Sequence, residues 1–135
     1  MVDRLDRARV RLYGGLGVGA LGAGALAYVG LVDPHRPDSL YPPCPFRMLT
    51  GWYCPACGGL RMTHDLLHGH VAAAATDNIV ALIGLPLLLI WAMSRIGSGR
   101  KVITPAVLIV IAVIAVVWTV LRNLPGFPLV PTVFD

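Results

Sequence analysis

Residues 102–121 read VITPAVLIVIAVIAVVWTVL, a stretch of twenty residues without a charged side chain. An α-helix of this length rises about 30 Å, which is the thickness of the hydrocarbon core of a bilayer. Residues 12–32, LYGGLGVGALGAGALAYVGLV, form a second uncharged stretch of the same kind. The sequence therefore predicts membrane-spanning helices at 12–32 and 102–121.

A third apolar stretch lies between these two. Ile79–Met93 is too short to span a bilayer unaided. Residues 71–76 extend it upstream, with Asp77 and Asn78 as a polar interruption. We therefore expect a span at about 71–96. A proline inside it frees backbone groups that a neighbouring element must satisfy, so this span is expected to pack against other helices.

The composition agrees with a membrane protein. The chain has 135 residues, of which 56% are hydrophobic and 13% charged, and its mean hydropathy is +0.73. A soluble domain carries about 25% charged residues. We expect one all-α membrane domain over residues 1–135, and soluble enzyme folds are excluded.

The first span also resembles a signal peptide, with a cleavage-like motif at 25–27, but it is long for one and is expected to be retained.

The basic residues predict the orientation of the chain. Seven lie in the N-terminal tail and the 94–101 loop, against four in the 33–78 loop and the C-terminal tail. The positive-inside rule then puts the N-terminus in the cytoplasm, with the loop 33–70 and the tail 122–135 outside. Arginine outnumbers lysine, and alanine, glycine and valine are frequent, which is typical of GC-rich bacterial genomes. The predicted location is a bacterial plasma membrane, with lipids rather than nucleic acid as partners of the basic residues.

The predicted outer loop contains six prolines, five of them within residues 34–45, and all three cysteines of the chain. Its central part, residues 44–59, reads CPFRMLTGWYCPACGG, and a short interfacial helix is expected after it, at 60–68. The Cys54–Cys57 pair has the form of a metal-binding knuckle, with two thiolates across a tight turn. Zinc prefers four ligands. Cys44, Cys54 and Cys57 supply three, and His64 is the candidate for the fourth.

Two other chemistries fit the same cysteines. An outward-facing loop permits disulfides, so a structural disulfide between Cys44 and either Cys54 or Cys57 is an equal alternative to the metal site. Cys-x-x-Cys is also the spacing of thiol–disulfide exchange motifs, although this chain has no room for their usual scaffold. Covalent c-type haem is disfavoured, because Gly58 stands where that motif requires histidine. These alternatives remain open at the level of the sequence.

The first span carries a stripe of small residues. Gly15, Gly19, Ala23 and Ala27 recur every four positions, which places them on one side of a helix. Small residues at this spacing let another helix approach closely. The stripe is predicted either to pack against spans two and three or to bind a partner protein, and other membrane subunits are the expected partners.

The cysteine region resembles an uncharacterised family of small bacterial membrane proteins. The resemblance is carried by CPF (44–46), CPACGGLR (54–61) and LHG (67–69). Members of that family share a Cys-Pro-x-Cys-Gly-x-Thr-Arg core and a Leu-x-Gly turn. Leu60 stands where the family often has threonine, and His70 where an acidic residue is frequent. The family brings no established activity, so the resemblance supports a cysteine module without assigning it a function.

Two functions are consistent with these features. No Ser-His-Asp set, paired carboxylates or phosphate-binding loop is visible, so we expect a protein that is not an enzyme. The first hypothesis is an accessory or assembly subunit of a larger membrane complex, organised by its cysteine loop. The second is a membrane protein that binds zinc or exchanges thiols through Cys44, Cys54 and Cys57.

Overall fold

The computed structural model describes residues 2–36 and 38–131, and within them the chain forms α-helices and no β-strand. The five helices are α1 (Val2–Leu31), α2 (Pro45–Thr50), α3 (Gly59–Leu67), α4 (Val71–Gly97) and α5 (Pro105–Arg122). The all-α prediction is confirmed. The last four residues of the predicted outer tail, 132–135, lie outside the described residues.

Three of these helices are long and apolar enough to cross a membrane: Leu12–Leu31 within α1, α4 and α5. The predicted three-span architecture is therefore confirmed. The third span begins at Pro105 rather than at residue 102, because Thr104 caps the helix. Its backbone is extended, and its side-chain oxygen accepts a hydrogen bond from the Val107 N–H at 3.4 Å. Proline at the first helical position has no N–H to leave unsatisfied.

The polar interruption in the second span is a break in α4. Asn78 has φ −162° and ψ 83°, the one non-helical residue within that helix. Its side-chain oxygen accepts a hydrogen bond from the Ala81 N–H at 3.0 Å, which starts the second part of the helix in the manner of an N-cap. The first turns of α4 are thereby separated from its long apolar part.

The described residues of the proline-rich stretch after α1 form no helix, in keeping with their high proline content. It is fastened to the end of α1 by Tyr41, which donates a hydrogen bond to the Val32 carbonyl at 3.2 Å and packs edge-on against Tyr28. The short helix α2 that follows was not predicted. Pro45 starts it, and Gly51 ends it in the left-handed conformation, at φ 75°.

The buried residues gather at one end of the molecule. They lie where α1 and α5 end, on α3, in the first turns of α4, and in the segments that follow α1 and α5, and we call this region the junction: Val29, Pro34, Met62, Asp65, Ala74, Asp77, Asn78, Trp118, Arg122 and Pro131. Four of these ten residues are polar or charged. The closest helix packing is that of α3 against α4 and against α1, so α3 is the element that holds the junction together.

The glycine stripe of α1 lies outside the junction and is uncovered. A Cβ atom built at Gly15 or at Gly19 meets no described atom within 4 Å. Ala23 and Ala27 are likewise exposed. The expectation that this stripe packs against spans two and three is therefore not met, because the close contacts of α1 with the rest of the described chain are made near its C-terminal end.

Candidate cysteine centre

The three cysteines converge on one point, although ten residues separate the first from the second. The sulfur atoms of Cys44 and Cys54 lie 3.4 Å apart, and those of Cys54 and Cys57 lie 2.8 Å apart. All three sulfurs are within 4.8 Å of one another, and all three are free thiols. They are close enough to bind a single metal ion, as the sequence predicted for these residues.

Local backbone geometry aims the thiols at one another. Cys44 lies in extended conformation immediately before α2. Cys54 and Cys57 close a tight turn, in which the Cys57 N–H donates to the Cys54 carbonyl at 3.1 Å and the Cys54 N–H donates to the Cys57 sulfur at 3.2 Å. An N–H group pointing at sulfur is typical of a metal-binding knuckle, because it stabilises negative charge on the thiolate.

Gly58 permits the turn and the approach of the next helix. Its φ is +83°, in the left-handed region, and it precedes α3 directly. A Cβ atom at this position would lie 2.5 Å from the Asp77 carbonyl oxygen. Only glycine therefore allows the cysteine turn to lie against the break in α4.

A buried arginine from the end of α5 holds the cysteine turn. Arg122 is 1% exposed, and its Nη1 donates to the carbonyls of Cys54 at 3.0 Å and of Cys57 at 2.9 Å. Its Nη2 donates to the Asp77 carbonyl at 3.2 Å. The guanidinium thus joins the cysteine turn, α4 and α5, and its positive charge lies close to the thiols.

Two asparagines complete this support. Asn78 donates through Nδ2 to the carbonyls of Pro55 at 3.0 Å and of Cys57 at 3.1 Å. Asn123 accepts from the Tyr53 N–H at 2.9 Å and donates to the Tyr53 carbonyl at 3.0 Å, so it pairs with both backbone groups of one residue. The turn is thereby fixed from both sides by side chains distant in the sequence.

Sequence reasoning did not identify Arg122 or Asn123 as site residues. Arg122 was counted only as a topological charge of the C-terminal tail. A usable signal was present, because a single arginine followed by an asparagine ends a helix of almost pure Val, Ile, Leu and Ala. Ionisable residues at such positions usually have a buried partner.

The thiols differ in how readily they ionise. Burial, together with hydrogen bonding to Cys54, raises the pKa of the Cys57 thiol to about 12. Burial also acts to raise the pKa of Cys44, but hydrogen bonds from the Arg47 backbone and from the other two cysteines outweigh it and lower that pKa. Cys44 therefore ionises more readily than Cys57 in the metal-free protein. A bound cation is the simplest way to hold all three as thiolates.

The cysteines are open to the surroundings on one side. A cleft of about 620 Å³ lies beside them, and its lining includes Arg47, Tyr53 and Arg61. Three sulfur ligands leave one position of a tetrahedral metal ion free for a molecule from this cleft. The same proximity serves the predicted alternative, since the sulfur of Cys44 lies within 4.8 Å of those of both Cys54 and Cys57, its two predicted disulfide partners.

His64, the predicted fourth ligand, is not placed with the cysteines. Its ring groups instead with Asp33 and His35. Its Nδ1 is hydrogen-bonded to the Val29 carbonyl at 2.7 Å, and its Nε2 lies 3.8 Å from a carboxylate oxygen of Asp33. The cysteine centre therefore has three protein ligands among the described residues.

Residues 44–92 match a family that is described as a protein of unknown function, DUF2752. The match includes the three cysteines, α2, α3 and most of α4. No curated protein and no solved structure matches the chain. The resemblance predicted for about Cys44 to Met93 is thus confirmed: the segment that builds the cysteine centre is similar to an uncharacterised protein family.

Proposed function

We propose that this protein is a non-catalytic, multi-pass membrane protein that binds one zinc ion at Cys44, Cys54 and Cys57. In this proposal the N-terminus is cytoplasmic and the cysteine centre lies on the extracytoplasmic side of a bacterial plasma membrane. The observation that carries it is the convergence of three sulfurs on a turn whose carbonyls accept hydrogen bonds from side chains of α4 and α5.

The geometry suits zinc. Sulfur ligands at a zinc–sulfur distance of about 2.3 Å form a tetrahedron with edges of about 3.8 Å. The sulfur separations of 3.4 and 2.8 Å reach this value with small side-chain movements. The nearby Arg122 guanidinium offsets part of the negative charge of three thiolates.

Cobalt substitution tests this site directly. Co²⁺ bound to thiolate gives a sulfur-to-metal charge-transfer band, which oxygen and nitrogen ligands do not produce. We expect this band on adding Co²⁺ to the reduced, detergent-purified protein, its displacement by Zn²⁺, and its loss in Cys54→Ser. His64→Gln is the matched control and should keep the band, since His64 lies outside the centre.

Intact mass and thiol alkylation, measured on protein purified without reductant, distinguish zinc from a disulfide. Zinc binding predicts three thiols that become alkylatable only after chelation and unfolding. A disulfide predicts a mass lower by two hydrogen atoms, one alkylatable thiol and no bound metal. The second result, or a cobalt band of undiminished intensity in Cys54→Ser, overturns the zinc proposal.

A second function is favoured by the uncovered helix surface. The stripe Gly15, Gly19, Ala23 and Ala27 faces open space, and small residues at this spacing favour close helix contact. This observation supports an accessory or assembly subunit that contacts another membrane protein through α1. Its test is the size of the native assembly extracted from membranes in variants of the stripe.

A further inference from the structure

A second group of ligand-type side chains lies in the junction, apart from the cysteines. Asp65 and Asp77 are 6% and 2% exposed. One carboxylate oxygen of each, Oδ2, is buried and accepts no hydrogen bond from any described residue. Both of these oxygens lie 3.5 Å from Nε2 of His35. Two buried carboxylate oxygens therefore face one imidazole nitrogen.

The other side of the imidazole determines what Nε2 can offer. His35 Nδ1 lies 2.9 Å from Oδ1 of Asp33, and the His35 backbone N–H donates to the same oxygen at 2.9 Å. Because Asp33 Oδ1 accepts this backbone hydrogen bond, it faces Nδ1 as an acceptor as well. The proton of neutral His35 then lies on Nδ1, which leaves a lone pair on Nε2.

A lone pair facing two carboxylate oxygens is repulsive unless a proton or a metal ion lies between them. We propose that His35 Nε2, Asp65 and Asp77 bind a divalent transition-metal ion, with zinc as the best fit. Asp33 orients the imidazole through Nδ1, an arrangement common at histidine ligands of metals. This site is independent of the zinc proposed at the cysteines.

Distances and ligand type agree with this assignment. Ligands at about 2.1 Å from a tetrahedral zinc ion lie about 3.4 Å from one another, and the two nitrogen–oxygen separations here are 3.5 Å. All three ligand atoms lie within 4.8 Å of one another. One imidazole and two carboxylates suit zinc, manganese or ferrous iron rather than the softer ions that thiolates select.

The position of the site gives the ion a structural consequence. Asp65 is on α3, Asp77 is at the break of α4, and His35 follows α1, so the ion would connect three segments of the junction. Asp77 also precedes Asn78, which holds the cysteine turn. The two centres therefore share the break in α4.

The competing explanation is purely electrostatic. His35 could carry a second proton, and both His35 and Arg61 attract the Asp77 carboxylate. In that case the facing carboxylates need no metal, and added metal leaves the protein unchanged. The experiment must therefore separate metal binding from simple charge balance.

Cobalt spectroscopy and thermal unfolding of the full-length protein in detergent make this separation. After chelation, Co²⁺ should produce ligand-field bands from the oxygen and nitrogen site in addition to the sulfur charge-transfer band of the cysteine centre. In Asp77→Asn, we expect the first set of bands to be lost and the sulfur band to remain. Asp33→Asn should weaken this binding about 10-fold to 100-fold, as loss of a group that orients a histidine ligand does.

Thermal unfolding shows whether a variant has merely failed to fold. Asp77→Asn removes one of two facing charges, so without metal it should unfold at or above the wild-type temperature. Its unfolding temperature should rise less with Zn²⁺ than that of the wild type, because only the cysteine centre remains. His70→Gln is the matched control, an exposed histidine outside the group, and it should behave as wild type.

Three results would overturn the proposal. The first is a wild-type protein with no ligand-field bands beyond those of the cysteine centre, as judged in Cys54→Ser. The second is an Asp77→Asn variant that folds and whose unfolding temperature rises with Zn²⁺ as much as that of the wild type. The third is a His70→Gln variant whose Zn²⁺-dependent rise in unfolding temperature is reduced as much as that of Asp77→Asn. This result would indicate adventitious binding to surface histidines. Failure of the cysteine centre alone removes only the sulfur band and leaves this proposal standing.

Discussion

The junction and the membrane spans differ in the burial and the bonding of their side chains. In the junction, buried side chains make specific hydrogen bonds, as with Arg122, which is 1% exposed and donates to three carbonyls. A few buried polar atoms there, including Oδ2 of Asp65 and of Asp77, have no hydrogen-bond partner among the described residues. Along the spans, large apolar side chains are exposed instead, such as Leu21 at 76% and Ile109 at 62%. Side chains of the junction thus have specific partners within the chain, whereas the apolar side chains of the spans form surface that the described chain does not cover.

This difference indicates in which region the identity of each residue matters most. Apolar side chains on a spanning helix need only lipid or another apolar helix, so many residues suit each position. A buried carbonyl or guanidinium needs a particular partner at a particular place, and losing it leaves an unsatisfied group. We therefore expect substitutions in the junction to be severe and comparable substitutions in the spans to be mild.

Removal of the guanidinium of Arg122 should have the largest effect. Arg122→Met keeps much of the volume but leaves the carbonyls of Cys54, Cys57 and Asp77 without this donor. We expect the free energy of unfolding to fall by about 3–5 kcal/mol, measured by SDS titration in mixed micelles. Arg100→Met, at an exposed position, is the control and should change stability by less than about 0.5 kcal/mol. Equal losses of stability in the two variants would contradict the conclusion that the hydrogen bonds of Arg122 stabilise the junction.

Gly58 offers a sharper comparison, because the chain contains its own control. Gly58 and Gly51 are both left-handed, at φ +83° and +75°, but a Cβ atom would clash with the Asp77 carbonyl only at Gly58. The left-handed conformation alone costs a non-glycine residue about 1–2 kcal/mol. Gly51→Ala should show that penalty, and Gly58→Ala should exceed it by about 1 kcal/mol or more. Similar losses in the two variants would mean that the cysteine turn can move away from α4.

Asn123 should have a smaller effect, since its hydrogen bonds are uncharged. Asn123→Ala removes the contacts to both backbone groups of Tyr53 and to the Thr119 carbonyl. We expect a loss of about 1–2 kcal/mol in the same titration. Asn123→Asp keeps the acceptor for the Tyr53 N–H. Its free energy of unfolding should therefore lie between those of the wild type and Asn123→Ala. An aspartate variant less stable than the alanine variant would show that burial of charge dominates at this position.

The spans could be predicted from the sequence because their cause is local. Twenty uncharged residues at 102–121 are sufficient evidence for a spanning helix, whatever lies around them. The cysteine centre was also accessible, since three cysteines within fourteen residues are close in space under most conformations of the loop. For the spans themselves, the correction concerned a boundary, at Thr104, where a capping hydroxyl and the proline after it set the start of α5.

The polar part of the junction could not be predicted in the same way. Its partners are far apart in sequence: Arg122 meets Cys54 across 68 residues, and His35 meets Asp77 across more than 40 residues. Hydropathy and spacing carry no information about such pairs. His64 was predicted as a ligand for the cysteines because it is near them in sequence, whereas the fold of α3 turns it toward Asp33.

The glycine stripe gives the smallest expected effect on the isolated protein. A side chain added at Gly19 meets open space, so Gly19→Leu should leave the stability of the purified chain within about 0.5 kcal/mol of wild type. Gly24→Leu is matched to it, because Gly24 lies on the same helix, away from the stripe, and is equally open. If α1 contacts a partner subunit through the stripe, Gly19→Leu should reduce the size of the native assembly extracted from membranes, and Gly24→Leu should not. Assemblies of unchanged size in both variants would mean that lipid covers this face. The accessory-subunit proposal would then lose its structural support, while both metal-site proposals would be unaffected.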